Sequence, residues 1–165
     1  MKKSAKAVII TLFVIYCLML VYLLFIQNGL RYGYTFYGFE LFSRDHVNVT
    51  CNFVPFKMIR NYLWAWSHGM VRYAVTNLIG NIVLFMPIGY FMPVLFSKTF
   101  GRFWTFLIIA AAISIVVELI QFITMMGATD IDDVILNVCG AGIAYGIIHI
   151  PAVRKRLVDI CFDKS

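Results

Sequence analysis

Charged side chains are scarce in this 165-residue chain: they make up 13% of the residues, whereas hydrophobic residues reach 62%. An ordinary soluble domain has about 25% charged and about 45–50% apolar residues, so the composition predicts a membrane protein. The formal net charge is +6, and the basic residues lie mainly beside hydrophobic segments. Such a distribution is typical of topology signals and of contacts with anionic headgroups.

Patterns that would indicate a specific chemistry are also missing from the sequence. The chain has no nucleophile elbow, phosphate-binding loop, dinucleotide fingerprint or zinc signature. Its four cysteines fit neither a zinc site nor a disulfide framework. No zinc-finger, helix-turn-helix or RNA-binding pattern occurs either, so nucleic acid is excluded as a partner. Membrane lipids are the partners predicted instead.

Four apolar segments are long enough to cross a bilayer. They cover residues 7–26, 74–96, 103–124 and 134–150. The predicted fold is therefore all-α, an integral membrane bundle of four transmembrane helices. Pro87 lies inside the second span and is expected to kink or unwind that helix, because proline removes a helical hydrogen bond.

A long polar interval separates the first helix from the second. Within it, residues 57–66 predict a short amphipathic helix at the membrane surface, so we expect an outer aromatic and amphipathic loop. The predicted division is 1–26 for the cytoplasmic N-terminus and first helix, 27–73 for the extracellular loop, 74–151 for a three-helix core, and 152–165 for a cytoplasmic basic tail. Nine lysines and arginines fall on the side of the termini and five in the loop. The positive-inside rule therefore predicts that both termini are cytoplasmic.

Polar side chains collect at one depth, near the predicted outer ends of the last three helices. They are Asn77 and Asn81 in the second helix, Glu118 and Gln121 in the third, and Asp130, Asp133 and Asn137 in the fourth. At about 1.5 Å per residue, each set lies within roughly 10 Å of the outer boundary. We therefore predict one ligand-binding site formed by these seven residues.

Each of these residues also has a structural interpretation. Asp130 and Asp132 fit the capping of the fourth helix, and the amide side chains fit hydrogen bonding between helices. Glu118 is the hardest to explain in this way, because its helix contains no basic residue. An intramembrane carboxylate is by default a functional-site candidate.

The clustered acids need compensation, because three neighbouring carboxylates cannot all stay ionised alone. Either one acid is protonated, or a loop arginine such as Arg60 or Arg72 covers them, or a divalent cation binds. The candidate metal ligands are Glu118, Asp130 and Asp133, and their oxygen atoms favour magnesium or calcium over zinc. Glu118 and Asp133 are also the candidate catalytic acid and base.

Four motifs follow one another between residues 52 and 140. They are Asn52-Phe-Val-Pro-Phe56, Asn77-Leu-Ile-Gly-Asn-Ile-Val-Leu-Phe-Met-Pro-Ile-Gly89, Glu118-Leu-Ile-Gln-Phe122, and Gly127-Ala-Thr-Asp-Ile-Asp-Asp133 followed by Asn137 and Gly140. In this order, over roughly residues 50–150, they resemble the VanZ-like family of small bacterial membrane proteins. Phe53 and Val54 stand where family members often have leucine and isoleucine. The resemblance implies a multi-pass protein of the bacterial cell membrane that is associated with reduced susceptibility to teicoplanin and related lipoglycopeptides.

Three functions are compatible with these observations. In the first, the polar site binds a lipid headgroup, a lipid-linked cell-wall precursor or the membrane-anchored tail of a lipoglycopeptide. In the second, the protein is a membrane enzyme that acts on lipid or cell-wall precursor phosphate esters with a divalent cation. In the third, it is a small cation- or proton-coupled transporter, for which four spans are few unless the chain dimerises. No sequence feature selects the enzyme or defines the oligomeric state.

Overall fold

The computed structural model describes residues 3–27, 51–97, 99–124 and 129–155. Four helices in these ranges are long and apolar enough to cross a membrane. They are α1 (Lys3–Val21, continued by a π-helical turn, Tyr22–Gln27), α3 (Val71–Leu95), α4 (Phe103–Thr124) and α5 (Ile131–His149), and the shorter α2 (Lys57–Ser67) precedes α3. The predicted all-α bundle of four transmembrane helices is confirmed. Residues 28–50 of the predicted loop and 156–165 of the predicted tail lie outside the described residues.

Helix α3 runs without a break through both of its prolines, Pro87 and Pro93. The chain therefore does not unwind at Pro87. One turn before it, the hydroxyl of Tyr16 in α1 donates a hydrogen bond to the Leu84 carbonyl oxygen over 2.8 Å. Helix α1 is thus attached to α3 at the turn where proline weakens the helical hydrogen bonding.

Helix α5 lies between α3 and α4 and packs most closely against α3. Two glycines explain this close approach. A Cβ atom added at Gly140 would overlap the Ile82 carbonyl oxygen, and one added at Gly89 would overlap the Ala141 carbonyl oxygen. The backbones of α3 and α5 are therefore in direct contact, as is common where small residues line the interface between membrane helices.

Helix α2 is amphipathic and packs on the start of α3. Its buried Tyr62 and Ala65 contact Ala74 and Leu78 of α3 and Leu136 of α5. Its opposite side is exposed and includes Leu63, Trp64 and Trp66. The short amphipathic helix predicted for residues 57–66 is confirmed by α2.

A two-residue parallel β pairing, which the sequence analysis does not predict, joins two distant segments. Strand β1 (Cys51–Asn52) pairs with β2 (Thr129–Asp130), with Cys51 opposite Thr129 and Asn52 opposite Asp130. The chain just before α2 is thereby held against the chain just before α5. We call this end of the molecule, with α2, the starts of α3 and α5 and the end of α4, the α2 end of the bundle.

Candidate functional site

Asp130 is the N-cap of α5, and it also secures the β pairing. Its Oδ1 accepts hydrogen bonds from the Asp132 backbone N–H and from the Asn52 side-chain amide, each over 2.8 Å. Burial raises the pKa of Asp130, while these two hydrogen bonds and the charge of Lys57 oppose the rise. The capping interpretation therefore describes Asp130, with Asn52 as an additional partner that the sequence analysis missed.

Asp132 is fully buried, with 0% of its surface exposed, and it caps a different helix from the one expected. Its Oδ1 accepts the Phe56 N–H over 2.5 Å, and its Oδ2 accepts the Met58 and Ile59 N–H groups over 2.8 and 3.1 Å. These donors form the N-terminus of α2, where an anion is favoured by the helix dipole. Asp132 therefore fixes α2 to the start of α5.

A signal for this role exists in the sequence around the start of α2. The N-cap residue is Phe56, which adopts a left-handed conformation with φ of 63° and offers no capping side chain. A helix that begins without Ser, Thr, Asp or Asn at its N-cap needs another acceptor for its first N–H groups. Asp132 is the acceptor that arrives from 76 residues further along the chain.

Glu118 of α4 is 5% exposed and binds the backbone of the β2 segment. Its Oε2 accepts the Asp130 N–H over 2.9 Å, and its carbonyl oxygen accepts the Thr129 hydroxyl over 3.4 Å. Glu118 is also near enough to Asp130 and Asp133 for their charges to act on it. The acid that was hardest to explain structurally therefore has a structural partner.

Asp133 and Asn81 connect α5 to α3. The Asn81 side-chain amide donates to Asp133 Oδ1 over 2.5 Å. Asp133 is half-buried, in contrast to Glu118, Asp130 and Asp132, which are buried. As a residue, Asp133 is therefore the most exposed of the four acids at the α2 end, although its carboxylate is still closely surrounded by protein.

The remaining amides have separate partners. Gln121 donates over 3.2 Å to the Leu24 carbonyl oxygen, in the π-helical turn that follows α1. Asn77 donates over 2.8 Å to the Tyr73 carbonyl oxygen of its own helix. Asn137 donates over 2.9 Å to the Ser114 hydroxyl of α4, and among the described residues its buried Oδ1 has no hydrogen-bond partner.

The α2 end thus brings most of the predicted residues together but gives them unequal roles. Asn81, Glu118, Asp130 and Asp133 lie close to one another, and Asn137 lies one helical turn further along α5 from Asp133. Arg60 and Arg72 are exposed. Among the described residues, the acidic side chains are stabilised by backbone N–H groups, side-chain amides and the charge of Lys57. Among the described residues, no group of three or more His, Cys, Asp and Glu side chains is arranged to hold a metal ion.

Comparison with known proteins agrees with the motifs at the α2 end. Over 84 residues, the chain is 36% identical to Protein VanZ of Enterococcus faecium, a match that covers 49% of this chain and 51% of that protein. The chain therefore spans about half the length of the curated relative it matches. No solved structure matches. The model of the VanZ/LLP1 family matches residues 13–152, which include the second half of α1 as well as the four motifs. The chain belongs to the VanZ/LLP1 family.

Proposed function

We propose that this protein binds a membrane-associated ligand at the α2 end and thereby reduces susceptibility to teicoplanin and related lipoglycopeptides. The ligand is a lipid headgroup, a lipid-linked cell-wall precursor or the lipoglycopeptide itself. The α2 end faces the outside of the bacterial cell, and both termini are cytoplasmic. This orientation is supported by the nine basic residues on one side against five on the other.

The observation that carries the proposal is the number of hydrogen bonds that the Asp133 carboxylate accepts. An ionised carboxylate has about four acceptor positions. Within the part of the chain that the structure describes, one position of Asp133 is used, for the Asn81 amide. Asp132 is enclosed by three N–H donors, and Asp130 by two donors on one oxygen. Asp133 therefore combines partial exposure with free acceptor capacity, which a binding group needs and a purely structural acid does not.

The exposed surface of the α2 end fits a ligand that arrives from a membrane. The exposed side of α2 and the segment before it carry large apolar side chains, among them Phe53, Phe56, Trp64 and Trp66. Aromatic residues of this kind favour the headgroup region of a bilayer. A ligand that is anchored in the outer leaflet would therefore meet Asp133 at the depth where its polar part lies. No observation within the described residues favours the enzyme or the transporter over binding.

The test compares two identical substitutions three residues apart. Asp133→Asn removes the charge from the proposed binding group, whereas Asp130→Asn removes it from the N-cap. Both variants are expressed in a host that lacks the protein, their membrane levels are matched, and teicoplanin susceptibility is measured. We expect Asp133→Asn to lose protection and Asp130→Asn to keep it. Full protection by well-expressed Asp133→Asn would reject the proposed site.

A further inference from the structure

We infer that the ligand of this site presents a primary ammonium group, which the Asp133 carboxylate and the Asn137 amide oxygen receive together. The inference rests on the proposed function, because it names the chemistry of the ligand that Asp133 binds. It begins from the groups that line α5 and the adjoining faces of α3 and α4.

The polar groups available at this position are acceptors. Asp133 has free acceptor capacity, while the Asn81 amide already donates to it. The Asn137 amide donates to Ser114, and its buried Oδ1 has no hydrogen-bond partner among residues 3–27, 51–97, 99–124 and 129–155. Asn137 is only 3% exposed, and an unpaired acceptor at that depth is unfavourable until a donor reaches it. A complementary ligand must therefore donate hydrogen bonds.

The spacing of the two acceptors fits a single donor atom. Asp133 and Asn137 are four residues apart on one helix, so their Cβ atoms are about 5–6 Å apart on the same face. The N–H bonds of an ammonium diverge at the tetrahedral angle, so a nitrogen that donates to two oxygens over about 2.8 Å each holds them about 4.6 Å apart, which side chains with this Cβ separation can reach. An ammonium nitrogen with three N–H groups can thus donate to both oxygens and still use its third N–H elsewhere.

Charge also favours an ammonium over a neutral donor. The sequence contains no lysine, arginine or histidine between Ala74 and Lys98 or between Phe103 and His149. The positive charge of Lys57, which lies at the start of α2, acts on Asp130. The negative charge of Asp133 acts on Glu118, and the charges of Asp130 and Asp132 act on Asp133. A positively charged ligand placed beside Asp133 therefore offsets this repulsion.

Two sources supply a primary ammonium at a bacterial membrane surface. One is the ethanolamine headgroup of a phospholipid, and the other is a free amine on a peptide, whether of a cell-wall precursor or of an antibiotic. A choline headgroup has the same charge and nearly the same size as ethanolamine, but it has no N–H donor. A comparison of the two headgroups therefore separates the contribution of hydrogen bonding to binding from that of charge.

The experiment uses the full-length protein in nanodiscs of phosphatidylglycerol that contain a trace of spin-labelled lipid. The fraction of immobilised label is compared for phosphatidylethanolamine and phosphatidylcholine. The inference predicts about tenfold tighter association of the ethanolamine lipid, the effect of one charge-assisted hydrogen bond. Asp133→Asn should abolish this preference, Asn137→Ala should lower it, and Asp130→Asn should leave it unchanged.

A second arm addresses the peptide source with lysine amide, a soluble primary amine, whose saturable retention is measured by equilibrium dialysis. A preference for the ethanolamine lipid assigns the site to the headgroup. Equal binding of the two lipids, with lysine amide retained by the protein and released in Asp133→Asn, assigns the site to a peptide-borne amine. Either result supports the inference.

The inference is overturned if the two lipids bind equally and lysine amide is not retained, or if Asp133→Asn keeps the lipid preference. If Asp133→Asn loses teicoplanin protection while neither amine binds, the ammonium is wrong and the proposed function stands. If Asp133→Asn keeps protection, the proposed function itself fails.

Discussion

Replacing Asp132 with asparagine tests whether this buried carboxylate holds α2 against the bundle. The substitution keeps the shape and size of the side chain but replaces one acceptor oxygen by an NH₂ group, which is a donor. Both oxygens of Asp132 are in use: Oδ1 accepts the Phe56 N–H, and Oδ2 accepts the N–H groups of Met58 and Ile59. In either orientation, the new NH₂ group therefore faces at least one backbone donor.

The expected cost follows from the number of hydrogen bonds lost. One orientation of the asparagine amide loses one bond and the other loses two, and a hydrogen bond to a charged group contributes about 1.5–3 kcal/mol. The α2 amides are partly buried, so water replaces part of this loss. We expect Asp132→Asn to reduce the stability of the docked α2 by about 2–4 kcal/mol, more than the about 0.5–2 kcal/mol for loss of an ordinary N-cap.

Asp130→Asn is the matched control, because both hydrogen bonds of Asp130 meet on one oxygen, Oδ1. An asparagine oxygen can accept both, and asparagine is as good an N-cap as aspartate. Burial raises the pKa of Asp130 in the folded protein, so its charge opposes folding as the pH rises above the ordinary value of 3.8. Asparagine carries no such charge, and we expect Asp130→Asn to be neutral or slightly stabilising at pH 7.

Hydrogen exchange in detergent or nanodiscs measures the local effect, and unfolding in SDS measures the global one. In Asp132→Asn, the amides of α2 should exchange at least about tenfold faster than in the parent protein, since 1.4 kcal/mol corresponds to a factor of ten. The amides of α4 should change little. Wild-type protection of α2 in Asp132→Asn, or equal effects of the two substitutions, would refute this role of Asp132.

Three further predictions have clear expected outcomes. Glu118→Gln should change the free energy of unfolding in SDS by less than about 1 kcal/mol, because one oxygen accepts the β2 N–H and glutamine keeps an oxygen; a loss above about 2 kcal/mol would show that the charge itself stabilises the fold. Gly140→Ala should lower the free energy of unfolding by about 1–3 kcal/mol in the same assay, since its Cβ meets an α3 carbonyl oxygen. Gly146→Ala, with no atom within 4 Å of its Cβ, should leave the free energy of unfolding unchanged or raise it by up to about 1 kcal/mol. Equal effects of the two substitutions would contradict the close backbone contact. In intact cells, an impermeant thiol reagent should label Arg60→Cys on α2 and reach Arg102→Cys only after permeabilisation, and the reverse pattern would invert the proposed orientation.

The four spans and α2 were predictable because each depends on a pattern within one continuous segment. A run of about 20 apolar residues is long enough to span a bilayer whatever its partners are. Apolar residues spaced three or four positions apart over 57–66 indicate an amphipathic helix from that segment alone. The β pairing was not predictable in this way. Its strands are two residues long, which is too short for any periodic signal, and its partners are far apart in the sequence.

The sequence did not predict which partners the candidate site residues bond to. Helical spacing placed Asn77 and Asn81 on one face of α3, yet the Asn81 side chain donates to Asp133 of α5, while Asn77 donates to the carbonyl oxygen of Tyr73 in its own helix. Asparagine side chains commonly hydrogen-bond to a backbone group nearby. A single sequence does not reveal whether a given asparagine bonds to its own helix or to a neighbouring one. The role of Asp132 was missed for a related reason, because its acceptor geometry depends on α2, an element from another part of the chain.

The three aspartates at the start of α5 bond to three different parts of the bundle, and this arrangement links the proposed binding group to α2. Asp130 bonds to α5 itself, Asp132 to the N-terminus of α2, and Asp133 to Asn81 of α3. Asp132 and Asp133 are adjacent in one helical turn, so a rotation that moves one side chain moves the other. If the proposed ligand shifts Asp133, it therefore also shifts the hydrogen bonds of Asp132 to α2, because both side chains belong to one helix. In that case, ligand binding and the docking of α2 would influence each other by the same free energy in both directions.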